Sequence, residues 1–464
     1  MINFNTQNTP KPELAPALRI RSFAEISTGY TEDMAVREAM RCLRCKNPRC
    51  MSGCPLHNRI PEFLAKIAEG DFEAAYTILR DRSPMPEICS RVCPQESQCE
   101  GHCIRGVRGK PVSIGLLERF VCDRHQALHS APEPAQNASN GHKVAVIGAG
   151  PAGMACAGAL ADKGYDVCLM DGGRIPGGIM RYGIPAYRLP KDLLADKLDV
   201  LQQKGVRFVS GVRLDEEKTV DMLLKKEGYE AVFLGTGADQ PSGISIPGAE
   251  AEGVCTAHAF LSQLNQRQQG LPIFGEQIPM GKKVAVIGAG NVAMDAARCA
   301  LRLGAESVQI IYRRGMEQIS ARRDELQEAQ EEGAELLLFT QPVEIKTDKD
   351  GHVCGMVCER LSLGESDESG RCQPVSVPES SFTLETDMVI LALGSRQSPV
   401  LASIAKDLTL TRRGGIAADE NGVTSRPDIF AGGDAVTGPA NVSKAISAGL
   451  RAAESIDAYL SHRG

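Results

Sequence analysis

The octapeptide KVAVIGAG occurs twice, at 143–150 and again at 283–290. Each copy is a short run of small and branched apolar residues that ends in glycines. Each then enters a small-residue stretch of helical length, Pro151 to Lys163 in the first copy and Asn291 to Leu303 in the second. A strand that feeds a helix through a tight glycine turn is the opening of a Rossmann-type unit. One such pattern alone carries little weight. Its verbatim return in the same context predicts two doubly wound α/β units in one chain.

In the first copy Gly148, Gly150 and Gly153 form G-x-G-x-x-G, which supplies the tight turn, close backbone approach to a pyrophosphate, and close packing of helix on strand. The helix N-terminus then faces the phosphates. Asp166 to Met170 reads as the next strand, and Asp171 follows it where an acid accepts hydrogen bonds from ribose hydroxyls; the bland reading is an acidic turn residue before Gly172. In the second copy Gly288, Gly290 and Ala293 form G-x-G-x-x-A. The strand Val308 to Ile311 runs into Tyr312, Arg313 and Arg314 with no acid. Guanidinium groups suit a ribose 2′-phosphate, so this unit is expected to prefer NADPH to NADH; the bland reading makes both arginines solvated surface residues.

Later segments suggest how the units are joined. AVFLGTGA, with Gly235, Thr236 and Gly237, closes the first unit, and LALGS, Leu391 to Ser395, lies near the re-entry. Ile429 to Ala435 is a short apolar strand ending in Gly432, Gly433 and Asp434, followed by a helix from Asn441 to Tyr459 that can return to the first nucleotide. The second unit is therefore expected to be inserted in the first, over 241–384, with the first unit split between 143–240 and 385–464.

Ahead of these units stand two runs of four cysteines: Cys42, Cys45, Cys50 and Cys54, then Cys89, Cys93, Cys99 and Cys103. Pro55 and Pro94 each follow a cysteine directly, as in bacterial runs that hold 4Fe-4S clusters. Eight thiols suffice for two clusters, with zinc as the alternative metal. Nine of the 16 cysteines fall in residues 1–130, a clustering that argues for metal ligation in a reducing compartment rather than a disulfide framework. The same 130 residues hold 18 Lys/Arg against 15 Asp/Glu, while the whole chain is at −6. Arg41, Arg44, Lys46 and Arg49 sit among the first thiols without an acid, a setting that favours thiolate. With an acidic chain overall and no interleaved aromatics, nucleic acid is not the expected partner.

Ile60 to Asp81 reads as helical, from apolar residues at Phe63, Ile67, Phe72, Ala75 and Ile78, and His129 to His142 reads as a polar linker. Residues 1–130 are thus expected to form a helical domain. The chain has no run near the ~20 apolar residues of a membrane span, and MINFNTQNTPKPELAP lacks the apolar core of a signal peptide. A cytoplasmic protein without membrane contact is expected.

Taken together, RCLRCKNPRCMSGCPLHNRIPEF, EICSRVCPQESQCEGHC, PVSIGLLERF, GGIMRYGIPAYRLPKD, GAGNVAMDAAR and IFAGGDAVTG resemble the small subunit of NADPH-dependent glutamate synthase and its relatives, including the large subunit of NADH-dependent ferredoxin:NADP oxidoreductase. The resemblance spans nearly the whole chain, and dihydropyrimidine dehydrogenase carries a similar amino-terminal half. It implies a crossed ligand pattern, with Cys42, Cys45, Cys50 and Cys103 on one 4Fe-4S cluster and Cys54, Cys93, Cys99 and Glu118 on the other, Cys89 being a spectator. The uncrossed alternative gives each run its own cluster and makes Cys89 a ligand. It further implies FAD on Gly148, Gly150, Gly153, Asp171, Gly178, Arg181, Gly433 and Asp434, and NADPH on Gly288, Gly290, Asn291, Val292, Arg313 and Arg314. One departure is visible: where relatives have Met-Pro after the arginines, this chain has Ile319 and Ser320.

The reaction implied is hydride transfer from NADPH to flavin, then single-electron release through two clusters to a partner. A disulfide-reductase mechanism would need a C-x-x-C in the nicotinamide unit; Cys354 and Cys358 are C-x-x-x-C and read as packing residues. The glutamine chemistry and FMN site of glutamate synthase have no counterpart in these motifs, so a hetero-oligomer with the glutamate synthase large subunit is expected. The alternatives are an electron-accepting flavoprotein or ferredoxin as partner, or a non-catalytic relay whose nicotinamide site has decayed.

Overall fold

A computed structural model of the chain describes residues 3–128, 138–273, 275, 277–366, 372–405 and 407–462. Residues 129–137 of the expected linker lie outside these. The amino-terminal part is helical, its longest members being Glu32–Ala39, Ile60–Glu69, Phe72–Arg80, Pro86–Val92 and Ile114–Leu128. The stretch Ile60 to Asp81, expected to be helical, is helical as two helices rather than one continuous run. Gly70 takes φ +79 and ends the first, its N–H and that of Asp71 returning to the carbonyls of Ile67 and Lys66. The Asp71 carboxylate then caps the second by accepting from Ala74 N at 3.2 Å.

The two glycine strands are the middle strands of two parallel five-stranded sheets. The first runs Ile429–Ala431, Ala231–Leu234, Lys143–Ile147, Asp166–Asp171, Arg207–Ser210. The second runs Val254–Thr256, Met388–Leu391, Lys283–Ile287, Ser307–Ile311, Glu335–Leu337. The inner strands Ala231–Leu234 and Met388–Leu391 are buried throughout and read as unbroken apolar runs, while the edge strands Arg207–Ser210 and Glu335–Leu337 are partly exposed and carry polar residues. The return of the chain falls later than the boundary at 385. Met388–Leu391 is fully buried between Val254–Thr256 and Lys283–Ile287, so it belongs to the second sheet. The crossing itself is a two-stranded antiparallel pair, Gln240–Pro241 with Ser395–Arg396. An antiparallel sheet of Thr340–Thr347, Val353–Ser366, Cys372–Ser376 and Phe382–Leu384 flanks the second unit. Cys354 and Cys358 lie on its long strand, the first exposed and the second buried.

The helical part is not a separate bead. Leu56, Ile88, Cys89, Val92 and Cys93 share one apolar core with Ala152, Met154 and Ile446 of the first unit. Its amino-terminal segment straps the second unit through Lys11 to Glu328 (2.7 Å) and Arg19 to Glu331 (2.5 Å). Among the described residues no helix is long and apolar enough to cross a membrane.

Candidate functional site

Each glycine of the first loop has its own reason. A Cβ on Gly148, which takes φ +96, would stand 2.4 Å from the Gly235 carbonyl oxygen, and one on Gly153 would stand 1.8 Å from that of Gly148. These two are fixed by the protein itself. A Cβ on Gly150 would meet nothing within 4 Å, so its smallness serves space outside the protein, as close approach of a pyrophosphate requires. Gly178, at φ +50, lies against the same loop: a Cβ there would be 2.9 Å from the Gly150 Cα. Gly433, at φ +70, abuts Ala152 on the helix that the loop opens. Gly148, Gly150, Gly153, Gly178 and Gly433 thus meet at the carboxyl ends of the first sheet, where open α/β sheets bind ligands.

Asp171 has a prior task. Its Oδ2 accepts from Ala149 N at 2.6 Å and its Oδ1 from Gly173 N at 2.7 Å, so it shapes the loop and keeps acceptor capacity for a ribose hydroxyl. Burial raises its pKa. Asp434 accepts from Ala440 N at 3.1 Å, and burial pushes it up to about 6. Arg181 is buried; its Nε donates to the Pro176 carbonyl at 2.8 Å, and its guanidinium also reaches the side chain of Gln269, beyond the helix Ala257–Gln268 of the second unit.

In the second loop Gly288 takes φ +129, and a Cβ there would stand 2.4 Å from the Ala392 carbonyl oxygen. Near Gly290 the closest atom to a built Cβ is Ser320 Oγ at 3.5 Å, so the departing residue lines this loop. Asn291 Oδ1 accepts from Arg322 N at 2.9 Å, and Val292 is exposed. Ile287 pairs with Ile311, which sets Arg313 and Arg314 at the end of the strand beside the glycine turn. Among the described residues neither guanidinium has an ion-pair or hydrogen-bond partner, and no acid takes the place of a ribose anchor.

The thiols fall into two groups. Cys42 and Cys50 both lie within electrostatic reach of Cys45 and Cys103; burial raises Cys42 and pushes Cys50 up to about 12. Cys54, pushed up to about 11 by burial, has Cys93 and Glu118 as neighbours, and Cys99 has Cys54, Cys93 and Glu118. Arg41 explains how Cys103 reaches the first run. Rather than serving the thiols as a cation, it is buried against Glu38 at 2.5 Å, and its guanidinium pins the later loop through the carbonyls of Lys110 (2.6 Å) and Pro111 (3.0 Å). Glu118, one turn into Ile114–Leu128, is buried, its pKa raised first by burial and then by Cys93, and its Oε1 has no hydrogen-bond partner. An unmet carboxyl oxygen in the interior costs about 1–3 kcal/mol, so this one fits an iron ligand. Cys89 lies beside Cys93, with the Ser83 hydroxyl 3.9 Å from its sulphur, and also feels Glu118. Among the described residues no three His, Cys, Asp or Glu side chains are placed to hold a single metal ion. A four-iron core spreads its ligands more widely than one ion does, so the two thiol groups suit the larger object.

The group around Cys93 touches the first unit. Cys93 is hydrogen-bonded to Ser443, and Gln98 Nε2 donates to Ser443 Oγ at 3.2 Å and Asn441 Oδ1 at 3.3 Å. Asn441 caps the helix Val442–Ser461, a few residues after Asp434.

Sequence reasoning missed a buried polar seam between the two units. Arg188 Nη1 meets Asp295 at 2.6 Å and its Nε meets Glu325 at 2.9 Å. Arg298 meets Glu325, Glu328 and Glu332 at 2.5–2.8 Å, and the Tyr187 ring lies under Arg298 and Arg302. Lys191 Nζ donates to the carbonyls of Met180 (2.8 Å) and Ile184, and burial pushes it down to about 7. Tyr187, Arg188, Lys191 and Asp295 all lie in GIPAYRLPKD and GAGNVAMDAAR, the segments that carry the resemblance, and that was the only available signal.

Two family models match: dihydropyrimidine dehydrogenase domain II, 4Fe-4S cluster, over residues 19–130, and pyridine nucleotide-disulphide oxidoreductase over residues 142–449. Among solved structures, FprA of Mycobacterium tuberculosis in complex with NADPH superposes with a TM-score of 0.57 at 21% identity, covering 69% of this chain and 85% of that one. Fold and site together define a pyridine-nucleotide oxidoreductase of two Rossmann-type units preceded by a helical iron–sulphur domain. The glutamate synthase [NADPH] small chain of Escherichia coli (strain K12) is 35% identical over 98% of this chain and 97% of its own length, and that of Halomonas elongata is 36% identical over 97% and 96%. The putative oxidoreductase AegA of Escherichia coli is 37% identical over 97% of this chain and 69% of its own length. The chain belongs to the glutamate synthase small chain family.

Proposed function

We propose that this chain takes electrons from NADPH and delivers them singly to a partner subunit, as the electron-input half of a glutamate synthase. Gly148, Gly150, Gly153, Asp171, Gly178, Arg181, Gly433 and Asp434 would hold FAD; Gly288, Gly290, Asn291, Val292, Arg313 and Arg314 would hold NADPH. Cys42, Cys45, Cys50 and Cys103 would hold one 4Fe-4S cluster, and Cys54, Cys93, Cys99 and Glu118 the other. When bound, these groups supply the change from two-electron to one-electron chemistry. NADPH leaves as NADP⁺, one proton goes to solvent, and two electrons leave one at a time.

The observation that carries this reading is contiguity. The glycine loop, the Gly433–Asp434 turn, the Asn441 cap, Ser443, the Cys93 and Glu118 group and the Cys103 group follow one another through direct contacts and shared elements. Relatives whose names print NADPH, and the names small chain or subunit beta, support both the donor and a hetero-oligomer.

The donor assignment is tested by kinetics. Losing a charge-assisted contact to the 2′-phosphate removes about 2 kcal/mol, so Arg313→Ala/Arg314→Ala is expected to raise KM for NADPH about 30-fold and leave KM for NADH nearly unchanged. Equal KM changes for both nucleotides, or none, would contradict the arginine assignment.

A further inference from the structure

The thiol group around Cys103 lies toward the outside of the molecule, and its surroundings are unusual for this chain. Cys42, Cys45, Cys50 and Cys103 are all partly exposed; in the other group Cys54 is partly exposed as well, but Cys93, Cys99 and Glu118 are buried. Three segments meet here. The strip Asn3 to Thr6 is tied to the end of the helix Glu32–Ala39 by Asn3 N to the Met40 carbonyl (2.8 Å), and to the later loop by Lys110 N to the Thr6 carbonyl (2.8 Å) and by Arg105 to the Asn5 carbonyl. Electrostatic contact of Cys103 with Cys42 and Cys50 joins that loop to the first cysteine run.

On this face three large apolar side chains stand in solvent: Phe4 at 73%, Val107 at 71% and Ile104 at 43% exposure. Arg44, Lys46 and Arg49 stand on the segment that carries Cys42, Cys45 and Cys50, and Arg105, Arg108 and Lys110 on the loop that follows Cys103. None of the six forms an ion pair among the described residues, although ion pairs are frequent elsewhere on the molecule. The segments themselves hold no acid: there is no Asp or Glu in 3–12, 41–61 or 101–117. Unpaired like charges around an exposed apolar centre repel one another and are wetted at a cost. Both penalties vanish against a surface of opposite charge, and buried apolar centres inside charged rims are how specific interfaces are built.

We propose that an electron-accepting protein with an acidic face docks here, covering Phe4, Ile104 and Val107 while its carboxylates oppose the six cations. The proposal rests on reading the Cys103 group as the outer cluster, because docking at this face gives an acceptor its shortest approach to that group. Electrons pass one at a time, so one NADPH supplies two single-electron transfers. A nucleic acid is the other polyanion that such a face could attract, and the test below separates the two.

The experiment compares the wild-type holoprotein with Arg108→Glu/Lys110→Glu and with Val107→Asp, changes at residues that are not themselves among the proposed cluster or nucleotide ligands. Binding is measured directly to an acidic 2Fe-2S ferredoxin, to basic cytochrome c and to short duplex DNA. The expected result is that the ferredoxin binds, that binding weakens at least about tenfold between about 50 and about 300 mM salt, and that it weakens about tenfold in either variant, while cytochrome c does not bind. Ferredoxin binding indifferent to both variants, cytochrome c binding as tightly, or DNA binding more tightly than the ferredoxin would overturn the proposal. Reduction of the neutral quinone menadione by NADPH, measured on the same samples, should be equal in all three proteins and verifies that the variants are intact. Failure of the wild type to reduce menadione would strike the electron-transfer reading instead, since binding is scored without turnover.

Discussion

Glu118 is the residue on which the cluster assignment turns. In its local sequence, IGLLERF, it is a polar residue next to Arg119 on a helix that carries further charges, and nothing there marks it as a ligand. The resemblance nominated it; the structure adds a buried carboxyl with one unmet oxygen beside Cys93, Cys54 and Cys99. Glu118→Ala is expected to lower iron from about eight to about four per chain, and Cys89→Ala to leave about eight. Iron counting on purified variants decides it; the reverse order would restore Cys89 as ligand. Lys191 shows what one sequence cannot reveal, because its role depends on two carbonyls and on burial. With its pKa pushed from 10.5 to about 7, the folded state binds fewer protons than the unfolded chain across that interval, so stability rises with pH there. The buried ammonium is a full cost below pH 7 and none above 10.5. Thermal denaturation from pH 7 to 9 should show the wild type gaining stability and Lys191→Met staying flat; parallel curves would refute this.

At the scale of elements, the glycine turns were legible because strand, turn and helix impose independent demands on neighbouring residues. Three glycines at fixed offsets, small residues behind them and an apolar run ahead satisfy all three together. The two reasons for glycine separate by mutation. Gly153→Ala puts a Cβ 1.8 Å from the Gly148 carbonyl oxygen and is expected to cost about 1–3 kcal/mol of stability. Gly150→Ala, which meets nothing, should leave the melting temperature of the flavin-free protein unchanged and weaken flavin binding. Comparing melting curves with and without FAD checks both, and equal destabilisation by the two changes would contradict the account. The elements misread were those whose limits depend on single residues. Gly70 and Asp71 split a helix that apolar spacing carried through. Met388–Leu391 went to the second sheet because a short apolar run fits either unit, and only its neighbours on both sides decide.

For the whole molecule, modules and their order were legible from the repeat and the cysteine runs, and the contacts that hold them in register were not. Arg188 with Asp295 and Glu325, Arg19 with Glu331, and Gln98 with Ser443 join residues more than a hundred positions apart, which no local pattern encodes. These contacts matter because single-electron transfer demands a fixed path. If this path is used, NADPH feeds a flavin and two clusters in one chain. The most direct test is anaerobic titration with NADPH, followed by visible absorbance, with iron and acid-labile sulphide counted on the same protein. The expected result is about eight iron and eight sulphide per chain, flavin bleaching on the first additions of NADPH, and far weaker bleaching with NADH. Zinc in place of iron, or a flavin that NADPH leaves oxidised, would contradict it.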